Sequence, residues 1–127
     1  MEKQRAYRLV TLEDLQAARS SGSVPLAPID EADGYVHMSP KHEALVTAGL
    51  YFEPGTPLFA LEFDANILGA RLVWEVVPSR GGQAFPHYYG GPLPFAAAVY
   101  VHEIVWDESD GPVFGTQVDA DNWRDIK

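Results

Sequence analysis

Eleven glycines and ten prolines punctuate this chain in small clusters, which restricts it to several short elements joined by structured loops. Between the clusters the sequence shows no internal repeat and no low-complexity linker. The 127 residues suit one domain spanning 1–127, large enough to bury a core without metals or disulfides. A hydrophobic fraction of 46% with 21% charged residues excludes a disordered chain and a coiled coil.

Local patterns give the order of elements. Ala6 to Val10 alternates as a strand, with Tyr7 and Leu9 on one side and Arg8 on the other. Thr11, with Asp14 three residues on, starts a helix whose apolar face is Leu12, Leu15 and Ala18. Val24 to Ala32, with Pro25 and Pro28, reads as an extended loop. Asp33-Gly34 is a turn, Tyr35 to Met38 a strand, and Ser39-Pro40 a cap and first turn for a helix to Tyr51. Leu58 to Phe63 and Leu72 to Val77 alternate as strands around one helical turn at Asp64 to Leu68. Pro78 to Pro94 reads as a long loop, Ala96 to Trp106 as the longest strand, Val113-Phe114 as a short hairpin return, and the tail from Asp119 as frayed. Strands outnumber helices, so the expected class is α+β, a mixed and mainly antiparallel sheet with two principal helices.

The net charge of −9 argues against a bulk nucleic-acid or anionic-membrane partner, and leaves a small anionic ligand open. Acidic residues crowd Glu13 to Glu31 and Asp107 to Asp125, while Arg71 and Arg80 fall in the sparser span between them. Met1-Glu2-Lys3-Gln4-Arg5 precedes a short apolar stretch that Arg8 interrupts, so the expected location is the cytoplasm. Gly81 to Val101 lacks charge, but its prolines and glycines rule out a membrane helix. Nothing in the sequence sets the oligomeric state.

Two segments concentrate polar groups that a core does not require. In Asp33-Gly34-Tyr35-Val36-His37-Met38-Ser39-Pro40, a strand delivers His37 beside a helix start, which suits an anion or ribose pocket; the plainer reading is a His bonded to a carbonyl and a Ser that only caps. In Arg80-Gly81-Gly82-Gln83-Ala84-Phe85-Pro86-His87-Tyr88-Tyr89-Gly90-Gly91, glycines permit close approach and the rings offer stacking faces; the plainer reading is a rigid surface loop. Glu75, after Trp74 in an alternating strand, is a third candidate, suited to hydrogen-bond a ribose or stabilise an oxocarbenium ion, or simply solvated. No metal is expected, since His37, His42, His87 and His102 lack close spacing and a set of His37, His87 and Glu75 has nothing further in its favour. A Ser39 hydrolase lacks a nucleophile elbow.

Tyr7, the run Asp33 to Ser39, the pair Trp74-Glu75, and Phe85-Pro86-His87-Tyr88-Tyr89-Gly90 followed by Pro92-Leu93 stand in an order that covers the chain to about Trp106. In these marks the chain resembles a bacterial family known as domain of unknown function 952. Met38 and Tyr88 depart from the family's usual residues, as packing-scale changes. That family is similar to the ADP-ribosylation fold, which implies a split sheet, a cleft for NAD, and ADP-ribosyltransferase-like glycosyl transfer or ligand binding without chemistry. The resemblance implies that His37 contacts the nicotinamide ribose, Tyr88 or Tyr89 stacks, and His87 or Glu75 takes a polar role, with Glu103 the other candidate for a late glutamate. Ser39, Trp74, Arg80, Phe85 and Gly90 complete the candidate binding residues.

Overall fold

A computed structural model describes residues 4–125. Met1 to Lys3, part of the segment behind the expected cytoplasmic location, lie outside the described residues, as do Ile126 and Lys127. Strand β1 (Arg5–Thr11) is followed directly by helix α1 (Leu12–Ser21), because the Thr11 hydroxyl accepts the Asp14 amide at 3.2 Å. Gly22 ends α1 at φ 85°, a conformation other residues resist.

The segment expected to be an extended loop contains a helix instead, α2 (Pro28–Asp33). Pro28 occupies its first turn, where a missing amide costs nothing, and the Asp30 carboxylate accepts the Ala27 amide at 2.7 Å. Strand β2 (Val36–His37) leads to α3 (Lys41–Tyr51). Ser39 does not cap α3. Pro40 takes that position, the Ser39 hydroxyl lies 3.2 Å from that of Thr47, and the Ser39 backbone exchanges two 2.8 Å hydrogen bonds with Tyr7 of β1.

Strand β3 (Leu58–Asp64), the single turn α4 (Ala65–Leu68) and β4 (Leu72–Val77) follow as the alternation predicts. The expected long loop after β4 holds a further strand, β5 (Gln83–Tyr88), and its tight return from β4 uses Gly81 and Gly82, both at positive φ. Pro86 masks this strand in the sequence, since proline inside a run argues against a central strand. Strand β6 (Ala98–Asp107) turns into β7 (Gly111–Asp119), nine residues rather than a two-residue return. The tail is not frayed as far as Asp125: short 3₁₀ turns over Ala120–Asp125 bury Ala120 and Trp123.

The class is α+β with antiparallel sheets. One sheet has four strands in the order β1-β3-β6-β7, the other three in the order β2-β5-β4, and the Tyr7–Ser39 bridge links them. Helix α1 packs on one face of the larger sheet, in a core including Leu15, Leu61, Phe63 and Val101, and that core also takes Val36, Leu72 and Tyr88 from the smaller sheet. On the opposite face Ala44 and Ala48 of α3 meet Leu58, Ala60 and Ile104. No described helix is long and apolar enough to cross a membrane.

Candidate active site between the two sheets

Period-two alternation splits the smaller sheet into an apolar face and a polar one. Tyr88 pairs with Val36 and Leu72, Pro86 pairs with Trp74, and Tyr88 is buried in the main core. The opposite face carries His37, directly across from His87, with Phe85 opposite Glu75. Register alone therefore brings together two histidines that are distant in sequence.

Tyr35, two residues before His37, joins them. Its ring stacks on His87 at 4.2 Å between centroids and 25°, and lies 4.6 Å from His37 and 5.2 Å from Tyr89; the two imidazoles are 5.7 Å apart, edge to face. Behind His87, Glu75 Oε1 accepts from His87 Nδ1 at 2.8 Å and from the Tyr89 hydroxyl at 2.6 Å. These two bonds, that from Tyr89 first, hold the Glu75 carboxyl below its ordinary range, while the same contact, then desolvation, pushes the Tyr89 phenol up to about 12. His87 Nε2 has no partner among the described residues.

His37 is held differently, by carboxylates on both ring nitrogens. Nδ1 lies 2.8 Å from Asp30 and Nε2 2.9 Å from Asp33, and its own backbone amide donates to Asp30 at 3.0 Å. Arg8 grips the same Asp30 with both terminal nitrogens, at 3.2 and 2.6 Å, and donates to the His37 carbonyl at 2.8 Å. The Asp30 side chain is fully buried. Burial pushes its carboxyl up, but hydrogen bonds from His37 and Arg8 outweigh this and hold it well below the usual range. The bond to Asp30 raises the His37 pKa against the opposing effect of desolvation, and Asp33 adds to the rise. With a carboxylate at each ring nitrogen, both nitrogens are placed to donate.

A cleft of about 460 Å³ opens here, walled by β1, the start of α2, α3 and the β4–β5 turn. His37, His87, Ser39, Arg80 and Phe85 line it, together with Arg8, Asp33 and Tyr35. Glu75 and Tyr89 stand behind His87. Arg80 is not a free cation: it bonds Glu43 at 2.8 Å and Thr47 at 3.2 Å, and lies 4.7 Å over the Phe85 ring. Arg71 and Trp74 are outside the lining. Tyr88 is buried in the main core with its phenol over Gly90, where a Cβ would collide with it, so that glycine serves packing rather than a ligand's approach. Glu103 sits on β6 against Gly115 of β7, and His42 lies 3.0 Å from the Gln83 side chain. Among the described residues no group of three or more His, Cys, Asp or Glu is placed to hold a metal ion.

Two residues of the site, Arg8 and Asp30, were not singled out by the sequence, and Asp33 and Tyr35 stood inside the first polar segment without a role of their own. Period-two alternation back from His37 reaches Tyr35, and the helix start Ala27-Pro28-Ile29-Asp30 reaches Asp30. Arg8 carries no such signal, because its partners come from other elements.

The profile of a family described as Protein of unknown function (DUF952) matches residues 9–101, and the chain belongs to that family. The crystal structure of protein CC0527 from Caulobacter crescentus is similar at 31% identity, covering 86% of this chain and 93% of that one, with a TM-score of 0.76. The crystal structure of a double mutant of that protein is 30% identical with the same TM-score, and its solution NMR structure is 31% identical, covers 85% and 90%, and has a TM-score of 0.71. No curated protein matches the chain.

Proposed function

We propose that the cleft binds NAD or its ADP-ribose part and supports glycosyl transfer from it. One observation carries this reading: cross-strand pairing sets His37 and His87 about Tyr35, with Glu75 and Asp33 at the rim of the same aromatic group. A cationic nicotinamide ring favours the π faces of tyrosines and nearby carboxylates. The resemblance to the ADP-ribosylation fold points the same way, since it implies a cleft between two small sheets.

On this reading Tyr35 stacks on the nicotinamide, a role the sequence expectation gave to Tyr88 or Tyr89, and His37 faces the ribose side. Ser39, Thr47 and Arg80, at the α3 wall, meet the phosphates. In the transfer the C1′–nicotinamide bond breaks, nicotinamide departs with its bonding electrons, and a bond from C1′ to the acceptor oxygen or nitrogen forms. The protein positions the sugar and sets carboxylate charge near the developing cation. His87, fixed through Nδ1 by Glu75, leaves Nε2 to accept the acceptor's proton. The test is nicotinamide release from NAD by the purified protein: release that His37→Ala and His87→Ala abolish supports the reading, and its absence in the wild type leaves binding alone.

That second reading, a binding module without chemistry, has its own support. The charged side chains of the cleft are already paired, Arg8 with Asp30 and Arg80 with Glu43. It predicts a copurifying metabolite, visible by mass spectrometry of the denatured protein.

A further inference from the structure

An imidazole satisfied by one carboxylate on each nitrogen has no lone pair and no free N–H for a ligand. The two carboxylates at His37 are unequal. Asp30 is locked, its side chain fully buried and held by Arg8, the Ala27 amide and the His37 amide. Asp33 is 42% exposed, sits at the end of a helix of six residues before Gly34 in the left-handed region, and its only side-chain hydrogen bond among the described residues is the one to His37 Nε2. Both Asp33 and His37 line the cleft.

We propose that His37 Nε2 is a seat for an anionic oxygen of the ligand, a phosphate or a carboxylate, and that the Asp33 carboxylate occupies that seat until the ligand displaces it. Three features of the site support this. Asp30, itself held by Arg8, keeps its bond to Nδ1 whether or not Asp33 is in contact, so the ring stays fixed with Nε2 toward the cleft after displacement. The displaced carboxylate moves toward solvent, where its hydration replaces the lost bond. A neutral hydroxyl is a poorer substitute for a carboxylate at a cationic donor, so the seat selects charge. The inference rests on the cleft being a ligand site, and it refines the role of His37 from ribose contact to anion recognition.

The test follows the His37 ring by NMR at about pH 6, with inorganic phosphate, acetate, ribose and NAD as separate probes. Phosphate or acetate should shift the His37 Nε2–H resonance, ribose should not, and which of the two anions binds tighter identifies the oxygen's source. Asp33→Asn should tighten the anion about three- to fivefold, the scale of one half-exposed ion pair. Glu31→Gln removes the same charge from an exposed position on α2 and should tighten it less. Equal effects of the two substitutions, weaker anion binding in Asp33→Asn, or no response of His37 to either anion would overturn the proposal. If NAD fails to bind while the anions behave as expected, the NAD reading falls and the seat stands. If NAD binds but Asp33→Asn changes nothing, the seat falls alone.

Discussion

The protein contains the same chemical pair in two settings. In the larger sheet, His102 Nε2 lies 2.7 Å from Glu62, with both residues buried against Tyr7 and Phe114 and Arg5 3.4 Å from the carboxylate. Burial and the Glu62 charge raise the Tyr7 phenol beyond the tyrosine range. In the smaller sheet, His87 and Glu75 form a pair at 2.8 Å, but Glu75 is 40% exposed and the imidazole lines a cleft. Residue type and distance are nearly equal, and the surroundings differ. A pair enclosed on all sides costs stability when one partner is lost, whereas a pair at a cleft wall leaves one nitrogen for a ligand.

The largest expected effect lies on the enclosed side. Glu62→Ala leaves His102 and Arg5 without their carboxylate and should cost about 3–5 kcal/mol in urea unfolding, with any NAD affinity of the folded protein unchanged. A loss near zero would show that the enclosed pair is no more structural than the open one. Tyr88→Ala should cost a similar ~3–5 kcal/mol, because that ring fills the core, while Tyr35→Ala should destabilise far less and act on ligand binding. Equal stability losses from the two tyrosines would break the assignment of the two faces.

These contrasts show how much was legible in the sequence. Alternation located β1, β3 and β4, and placed Glu75 on the face opposite Trp74. Capping chemistry located α1. It failed at Ser39, whose side chain pairs with Thr47 and whose backbone pairs with Tyr7 from an edge strand, information that no local pattern holds. Proline misled twice in opposite ways: Pro28 starts a helix where an extended loop was expected, and Pro86 sits inside a strand. The residues of the second polar segment were legible as chemistry, but not that Tyr88 turns inward while His87 turns to the cleft. That division depends on β5 being a strand.

A smaller effect appears in the pH dependence of stability. His37 has its pKa raised above the ordinary 6.5, so its pairing stabilises fully below that value and is lost as pH rises through the raised folded value. Asp30 has its pKa lowered from the ordinary 3.8, so its contribution is present above that value and is lost as pH falls toward the lower folded one. Stability attributable to this cluster should therefore be greatest between the carboxylate range and neutrality. Asp33→Asn should move the basic edge of that window to lower pH, as read by urea midpoints across pH; an unmoved edge would mean that Asp33 does not help to charge His37. Smallest of all, Glu75→Gln should leave the unfolding midpoint close to wild type while reducing NAD turnover, because its role is to orient His87 at an open wall.

The most direct measurement is calorimetric titration of NAD into the wild type, His37→Ala and His87→Ala proteins, with circular dichroism confirming that each is folded. Saturable binding at millimolar NAD or below, weakened about tenfold or more in both variants, is the predicted result. A wild type that gives no heat and no thermal shift at millimolar NAD, or variants that bind as well as the wild type, would contradict the assignment of the cleft.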